Sequence, residues 1–281
     1  MKVCILGTGV MGCGIVSLFC KSESIERIIW WGRESDSAEK GFINVKKEVS
    51  RYARKNSIDK DVVQQLLSKI HFSSDFTELE GADIYIEAIV EDFAAKANLL
   101  NKLSDFVSAQ AIVATNTSSL SVTALSMHLN NPENFIGVHF FNPTAIMRLV
   151  EIIKGLTTSD EVLERAIAIV NSLEKSPVIV KESPGFIVNR MLIPMINEAV
   201  AILAEGVATK EDIDKAMVYG ANHPIGPLAL ADLIGNDVCL SIMEVLQQET
   251  GDPKYRAHPL LRQYVRAGLL GRKTKEGFYG Y

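Results

Sequence analysis

This 281-residue chain has little of several features that would mark other classes of protein. It has four cysteines, at positions 4, 13, 20 and 239, and none pairs as CxxC, so we expect reduced thiols in or near the core of a cytosolic protein. The net charge of −5 arises from mixed signs along the chain, which argues against a nucleic-acid surface, and no metal site is predicted. No apolar run reaches the roughly 20 residues of a membrane helix, and a strand begins at residue 2. We therefore expect a soluble, cytoplasmic protein without a signal or transit peptide.

The chain does have a short apolar strand followed at once by a glycine-rich turn. Residues 2–6 (KVCIL) precede residues 7–12 (GTGVMG), the Gly-x-Gly-x-x-Gly pattern of dinucleotide-binding folds. The first glycine permits the tight turn, the second lets the backbone approach a pyrophosphate, and the third allows close packing of a helix whose N–H groups face the phosphates. The predicted cofactor contacts in this turn are Gly7, Gly9, Val10, Met11 and Gly12.

The second strand lacks the acidic residue that normally follows this fingerprint. Residues 27–31 (RIIWW) are followed by Gly32 and Arg33, where an Asp or Glu would bind the adenosine ribose. Losing that carboxylate removes a repulsive charge, and a guanidinium suits a phosphate dianion, so the site suits the 2′-phosphate of NADP. Two alternatives stay open: Glu34 or Asp36 binds the ribose of NAD, or Arg33 is only a solvated charge.

The order of apolar runs predicts two domains. Strand-type and helical segments alternate through about residue 180, which is typical of a Rossmann-type, doubly wound, mainly parallel α/β sheet in which some late strands run antiparallel. Helical segments dominate afterwards, so we place a Rossmann domain at 1–182, with a helical insertion, and a smaller all-α domain at 183–281. The predicted strands are 2–6, 27–31, 83–87, 111–114, 135–140, 149–153 and 178–180.

The predicted helices include a long apolar one that bears on assembly. Segment 187–203 is apolar all round, so it must be buried on several sides, and in so small a domain we expect a partner subunit to cover it as a dimer or higher homo-oligomer. The predicted helical segments are 36–68 as a pair, 93–107, 159–172, 186–205 with a bend at Pro194, 210–219, 228–249 and 259–267.

Six motifs, in order along the whole chain, resemble those of the 3-hydroxyacyl-CoA dehydrogenase family. They are residues 115–120 (TNTSSL), 138–143 (VHFFNP), 149–151 (LVE), 183–190 (SPGFIVNR), 222–227 (NHPIGP) and 270–279 (LGRKTKEGFY).

The resemblance implies the identity of the catalytic residues. His139 is the expected general acid and base, since histidine exchanges protons near neutral pH, although a lone histidine in an apolar run is more often a core residue. Glu151 is the expected partner of the imidazole. Ser118 and Asn189 are expected to donate hydrogen bonds to the substrate oxygens as negative charge develops.

The resemblance also implies cofactor and substrate contacts. Further cofactor contacts would be Asn116, Ser118, Asn142 and three residues of an exposed type, Glu91, Lys96 and Lys273. An acidic chain must meet the phosphates of coenzyme A with a local basic surface, and the first long helix carries one, where Arg51 and Lys55 are the predicted acyl-CoA contacts. A helix this charged usually just faces water, and Glu48 stands where the family has a serine.

The function implied is a short-chain 3-hydroxyacyl-CoA dehydrogenase that uses NADP, or alternatively NAD, to interconvert acetoacetyl-CoA and (S)-3-hydroxybutyryl-CoA. NADPH would favour the reductive direction. Two alternatives are a dehydrogenase of a small 3-hydroxy acid and a family member that has lost catalysis. The intact set of Ser118, His139, Glu151 and Asn189 argues against the second.

Overall fold

A computed structural model describes residues 1–33 and 35–281, with only the backbone of residues 35–37. The described residues divide into two compact units, Met1–Ser183 and Pro184–Tyr281. Our sequence-based boundary, between residues 182 and 183, lies one residue earlier. No helix among the described residues is long and apolar enough to cross a membrane.

The first unit is built on an eight-stranded sheet in the order β3-β2-β1-β4-β5-β6-β7-β8. All neighbouring pairs are parallel except β6 and β7, which pair antiparallel, as expected for some late strands. The strands are β1 Lys2–Leu6, β2 Arg27–Trp31, β3 Ile70–Ser73, β4 Ile84–Glu87, β5 Ile112–Thr115, β6 Phe135–Phe140, β7 Leu149–Lys154 and β8 Ser176–Lys181. The strand order reverses between β1 and β4, and ligands of open α/β sheets bind at such a point, beyond the carboxyl ends of the strands.

Helices follow the strands of the first unit and make up most of the second. The helices of the first unit are α1 Val10–Cys20, α2 Ser35–Lys55, α3 Lys60–Ser68, α4 Phe93–Leu103, α5 Val122–Ser126 and α6 Asp160–Ser172. Those of the second are α7 Val188–Ala204, α8 Lys210–Gly220, α9 Pro227–Ile234, α10 Asn236–Thr250 and α11 Pro259–Arg266.

The structure differs from the sequence-based expectation in three places, one of which is the helix α5, whose five residues are too few to give a helical pattern. Strand β3 was not predicted, because its four residues, IHFS, alternate too briefly to give a strand pattern. The single helix expected over residues 228–249 is two helices, α9 and α10, separated at Gly235. This glycine has φ +109°, a conformation closed to most residues with a Cβ, so the chain turns there although the apolar pattern continues.

A buried carboxylate fixes the end of the chain in the second unit. Asp232, in α9, accepts backbone N–H groups from Phe278 at 2.9 Å and Tyr279 at 2.8 Å, and the side-chain amide of Asn236 at 3.0 Å. A Cβ on Gly277 would lie 2.0 Å from the Asp232 carboxylate, so only glycine fits this approach. The final residues of the motif at 270–279 are therefore bound to the helical core.

All four cysteines are free and buried, as the sequence predicts. Burial raises the pKa of Cys20 to about 11 and that of Cys239 to about 12. It also raises the pKa of the Cys4 and Cys13 thiols above the ordinary value.

One face of the apolar helix α7 is covered by its own chain. Ile193, Ile196 and Val200 have no exposed surface and belong to the core of the helical unit. On the same helix Met191 stays 72% exposed. A partner subunit is thus not needed to bury Ile196, and the oligomeric state stays a prediction.

We expect Ile196→Asp to unfold the helical unit rather than only to separate subunits. The substitution would leave an ionised carboxylate without a partner in an apolar core, which costs several kcal/mol at least. Circular dichroism during heating measures the loss of helix, and Met191→Asp, on the exposed side of the same helix, is the matched control. A cooperative melt of Ile196→Asp at the wild-type temperature would contradict the assignment of Ile196 to the core.

Candidate active site

The glycine-rich turn between β1 and α1 has the geometry that its sequence predicts. Gly7 has φ +123°, and a Cβ there would lie 2.4 Å from the carbonyl oxygen of Ala88. A Cβ on Gly12 would lie 2.0 Å from the carbonyl oxygen of Gly7, so the helix packs directly on the turn. A Cβ on Gly9 would meet nothing within 4 Å, because this residue opens onto a cavity.

That cavity has a volume of about 820 Å³, enough for a large part of a dinucleotide. Its walls are the glycine-rich turn, the end of β2, Phe76, the loop after β4 and one face of α4. The turn ends at the N-terminus of α1, where Val10 and Met11 line the cavity, and helix N-termini favour phosphate groups. The residues present therefore fit a dinucleotide.

The charged side chains that the structure describes around the cavity are basic. Arg33, at the end of β2, and Lys102, in α4, both line it and are both exposed. Among the described residues, no acidic side chain lines the cavity and none forms an ion pair with Arg33 or Lys102. Of the two carboxylates that could bind a ribose instead, Glu34 and the side chain of Asp36 lie outside the described residues.

The space beside Gly32 is filled by a threonine. Gly32 is buried, and a Cβ there would lie 2.6 Å from the Cγ2 atom of Thr8 and 3.3 Å from the ring of Phe72. An aspartate could not be added at Gly32 without displacing Thr8. The expected ribose-binding carboxylate is thus missing at Gly32, and a side chain added there would have to displace the Thr8 methyl group.

Two strands place His139 opposite Glu151. β6 and β7 pair antiparallel with these two residues in register, and the Nδ1 atom of His139 lies 2.8 Å from the Oε2 atom of Glu151. His139 is 6% exposed and Glu151 is 1% exposed, so water barely competes for this contact. The imidazole ring also packs on Phe141 with a centroid distance of 4.4 Å. The pairing predicted for these residues is present, with the ring orientation fixed by a carboxylate.

Glu91 holds the segment from Thr117 to Ser119 that follows β5, which we call the serine loop. Its Oε1 atom accepts hydrogen bonds from Thr117 Oγ1 at 2.7 Å, from the Ser118 backbone N–H at 2.7 Å and from the Ser118 hydroxyl at 3.0 Å. Because the hydroxyl proton of Ser118 points to Glu91, donation to a substrate requires the hydroxyl to rotate. Burial alone would raise the pKa of Glu91, but Lys96 and the hydrogen bonds from Thr117 and Ser118 together lower it.

The expectation that Lys96 is an exposed residue is wrong. Its side chain is fully buried, and its ammonium group lies 2.6 and 2.8 Å from the two carboxylate oxygens of Glu87 and 3.3 Å from Glu91. A side chain without exposed surface meets a bound ligand only through its neighbours. Any effect of Lys96 on a cofactor therefore passes through Glu91 or through a rearrangement.

The two asparagines near the imidazole differ in exposure. Asn116 is buried, and its side-chain oxygen accepts the backbone N–H of Phe140 at 2.8 Å, which ties β6 to the end of β5. Asn142, two residues after Phe140, is exposed in the loop beyond β6. Asn116 thus has a structural contact, whereas Asn142 is accessible to a ligand.

Two of the predicted site residues belong to the helical unit. Asn189 is the second residue of α7 and is partly exposed. Lys273 is exposed, as expected, and its ammonium group lies 2.6 Å from Asp237. The contact of Asn189 with substrate and that of Lys273 with the cofactor stay predictions.

The basic residues predicted to contact coenzyme A lie on α2. Arg51 and Lys55 are exposed, and Arg51 is 3.2 Å from Glu48. Glu48 thus offsets part of the positive charge on this helix.

Sequence reasoning missed three residues of this region, namely Glu87, Lys102 and Thr8. Glu87 ends a strand that the sequence predicts to be buried, and a buried glutamate is rare unless it is paired. The sequence therefore offered a signal that this carboxylate has a partner. Thr8 lies within the glycine-rich turn, so its place beside the cavity follows from the motif although it was not singled out, whereas Lys102 reaches the cavity only through tertiary packing, for which the sequence carries no signal.

Comparison with known proteins gives matches along the whole chain. Residues 2–183 match the model of the 3-hydroxyacyl-CoA dehydrogenase NAD binding domain, and residues 185–281 match that of the 3-hydroxyacyl-CoA dehydrogenase C-terminal domain.

Relatives and solved structures agree with these matches. The chain is 46% identical over 281 residues to 3-hydroxybutyryl-CoA dehydrogenase of Clostridioides difficile, covering 100% of this chain and 99% of the relative. It is 44% identical over 280 residues to a probable 3-hydroxybutyryl-CoA dehydrogenase of Bacillus subtilis, covering 100% and 97%. The crystal structure of (S)-3-hydroxybutyryl-CoA dehydrogenase from Ralstonia eutropha superposes with a TM-score of 0.93 at 42% identity, covering 100% of this chain and 98% of that one.

Proposed function

Because the chain belongs to the 3-hydroxyacyl-CoA dehydrogenase family, we propose that it interconverts acetoacetyl-CoA and (S)-3-hydroxybutyryl-CoA with NADP(H). The observation that carries the proposal is the buried pair of His139 and Glu151, 2.8 Å apart, in the unit that also contains the dinucleotide cavity. The substrate is the one that the names of the relatives state.

His139 acts as the acid and the base of the proposed reaction. The Glu151 carboxylate accepts the Nδ1–H, which leaves Nε2 of the neutral ring as the proton acceptor. In oxidation, Nε2 takes the proton of the C3 hydroxyl as the C3–H bond breaks, and Glu151 stabilises the resulting imidazolium. In reduction the same proton returns to the C3 oxygen. The bound nicotinamide supplies the hydride acceptor or donor at C3.

Ser118 and Asn189 are the proposed hydrogen-bond partners of the substrate oxygens. A hydroxyl and a carboxamide can stabilise the negative charge that develops on the C3 oxygen during reduction. The substrate's phosphates would lie against Arg51 and Lys55 on α2.

The choice of NADP is supported by charge and packing. Two cations, Arg33 and Lys102, face the cavity without a described acidic partner, and the Thr8 methyl group packs beside Gly32, where a ribose-binding aspartate would stand. A guanidinium and an ammonium together suit a phosphate dianion. Since cellular NADPH is usually kept reduced, we propose the reductive direction.

Steady-state kinetics of the purified wild-type chain test this proposal. We expect reduction of acetoacetyl-CoA with a higher kcat/KM for NADPH than for NADH. A small 3-oxo acid without coenzyme A is the control substrate. Turnover of the free acid but not of the thioester would favour the alternative, a dehydrogenase of small 3-hydroxy acids, and a folded chain inert to both would indicate a non-catalytic family member.

A further inference from the structure

Glu87 is a buried carboxylate that the proposed chemistry does not use. It ends β4 at the carboxyl edge of the sheet, in register with Leu6 of β1 and Thr115 of β5, and has no exposed surface. Its oxygens accept two hydrogen bonds from Lys96 at 2.6 and 2.8 Å, one from the Thr115 hydroxyl at 2.6 Å and one from the Ile89 N–H at 2.7 Å. These hydrogen bonds offset the cost of burying the charge of Glu87, and each of them depends on the position that the fold gives to the donor.

One arm of this network leads to the serine loop. The ammonium of Lys96 lies between two carboxylates, with both oxygens of Glu87 on one side and Glu91 at 3.3 Å on the other. Glu91 in turn accepts the hydrogen bonds of Thr117 and Ser118. Because Glu87 fixes the position of the Lys96 ammonium, it also fixes the position of the cation that contacts Glu91.

A second arm leads to the wall of the cofactor cavity. Ile89, whose N–H donates to Glu87, lines the cavity, and so do Ala88 and Val90 beside it. The carbonyl of Ala88 is the group against which Gly7 packs. The Glu87 carboxylate therefore accepts a hydrogen bond from the loop that lines the cavity. Through Lys96 and Glu91 the same carboxylate is also connected to Ser118.

We propose that Glu87 is a positioning residue for hydride transfer, which sets the serine loop and the cavity wall relative to one another through Lys96, Glu91 and the Ile89 N–H. This proposal rests on the proposed function, since Ser118 and the cavity are its substrate and cofactor sites. In metal sites, loss of a partner that orients a ligand typically lowers affinity or activity by about 10- to 100-fold, and we expect an effect of that order here.

The test separates positioning from mere stability. Glu87→Gln leaves Lys96 partly unpaired and should lower the melting temperature, kcat and the affinity for NADPH together. The double variant Glu87→Gln with Lys96→Met removes both charges, and a buried ion pair replaced by neutral groups of similar size is often no less stable. We expect this double variant to regain the melting temperature while kcat stays about 10- to 100-fold low and NADPH binding, measured by cofactor fluorescence, stays weakened.

Val170→Ala is the matched control for lost stability, because Val170 is a buried core residue of α6 outside the network. It should melt earlier without the loss in kcat or in NADPH affinity. A stable double variant with wild-type kcat and NADPH affinity would overturn the proposal, and so would failure of both Glu87 variants to fold, which would make Glu87 purely structural. If the wild type does not reduce acetoacetyl-CoA, the proposed function fails, and NADPH affinity of the variants still decides the role of Glu87.

Discussion

His139→Gln is expected to lower kcat for acetoacetyl-CoA reduction by about 10²-fold or more, the usual contribution of a general acid. Glutamine can keep a hydrogen bond to Glu151 but cannot deliver a proton, so folding and NADPH binding should change little. Stopped-flow measurement of the chemical step checks the effect directly.

A second histidine provides a matched control for this result. His71 also lies beside a carboxylate, Glu78 at 3.1 Å, but this pair is exposed on the surface. His71→Gln should therefore leave kcat unchanged. Near-normal turnover in a folded His139→Gln variant would remove His139 from the mechanism.

Replacing Glu151, the partner of the His139 imidazole, should affect the same proton-transfer step. Glu151→Gln would weaken the stabilisation of the imidazolium and allow the other ring tautomer, so we expect lower turnover and an altered pH dependence. Unchanged turnover with an unchanged pH profile would mean that the contact at 2.8 Å is structural only.

Replacing the cations that are proposed to bind the 2′-phosphate is expected to give the second large effect. Arg33→Ala should weaken NADPH binding by about 1 to 3 kcal/mol, the scale of a charge-assisted hydrogen bond lost from a ligand, and should barely change NADH binding. Lys102→Ala should act in the same direction. Arg27→Ala, at the other end of β2, is the matched control and should leave both affinities unchanged.

The packing beside Gly32 sets how the preference can be reversed. Gly32→Asp alone would force its Cβ against Thr8, at 2.6 Å, so the variant to make is Gly32→Asp with Thr8→Ala. The new carboxylate would accept from the ribose hydroxyls of NADH and repel the 2′-phosphate of NADPH. The kcat/KM ratio for NADPH over NADH is expected to fall below one. A wild-type ratio already below one would instead favour Glu34 or Asp36 as the ribose acceptor.

Local signals explain which parts of the fold could be predicted from sequence. The strand from Lys2 to Leu6 and the turn after it follow from an apolar run and three glycines, which act over a few residues. Strand β3 and the break at Gly235 could not be predicted, because one is too short for periodicity and the other lies within a continuing apolar pattern. The conformation of a very short strand, or of a single residue with positive φ inside an apolar run, thus depends on tertiary packing rather than on local sequence.

The site divides in a similar way. The motifs place His139 and Glu151 on neighbouring strands, but their facing positions depend on the β6 and β7 register. Lys96 resembled a surface lysine, because nothing near it in sequence announces that Glu87 will accept its charge in the interior. A buried ion pair is a relation between distant residues, and residue type alone does not reveal it.

The burial of all four thiols has a practical consequence for labelling this protein. Raised pKa values and lack of access make Cys4, Cys13, Cys20 and Cys239 poor targets for maleimide dyes. A cysteine introduced at an exposed position of each unit would therefore be labelled selectively on the natural background. A dye at such a position would then report on the unit that carries it without interference from the natural thiols.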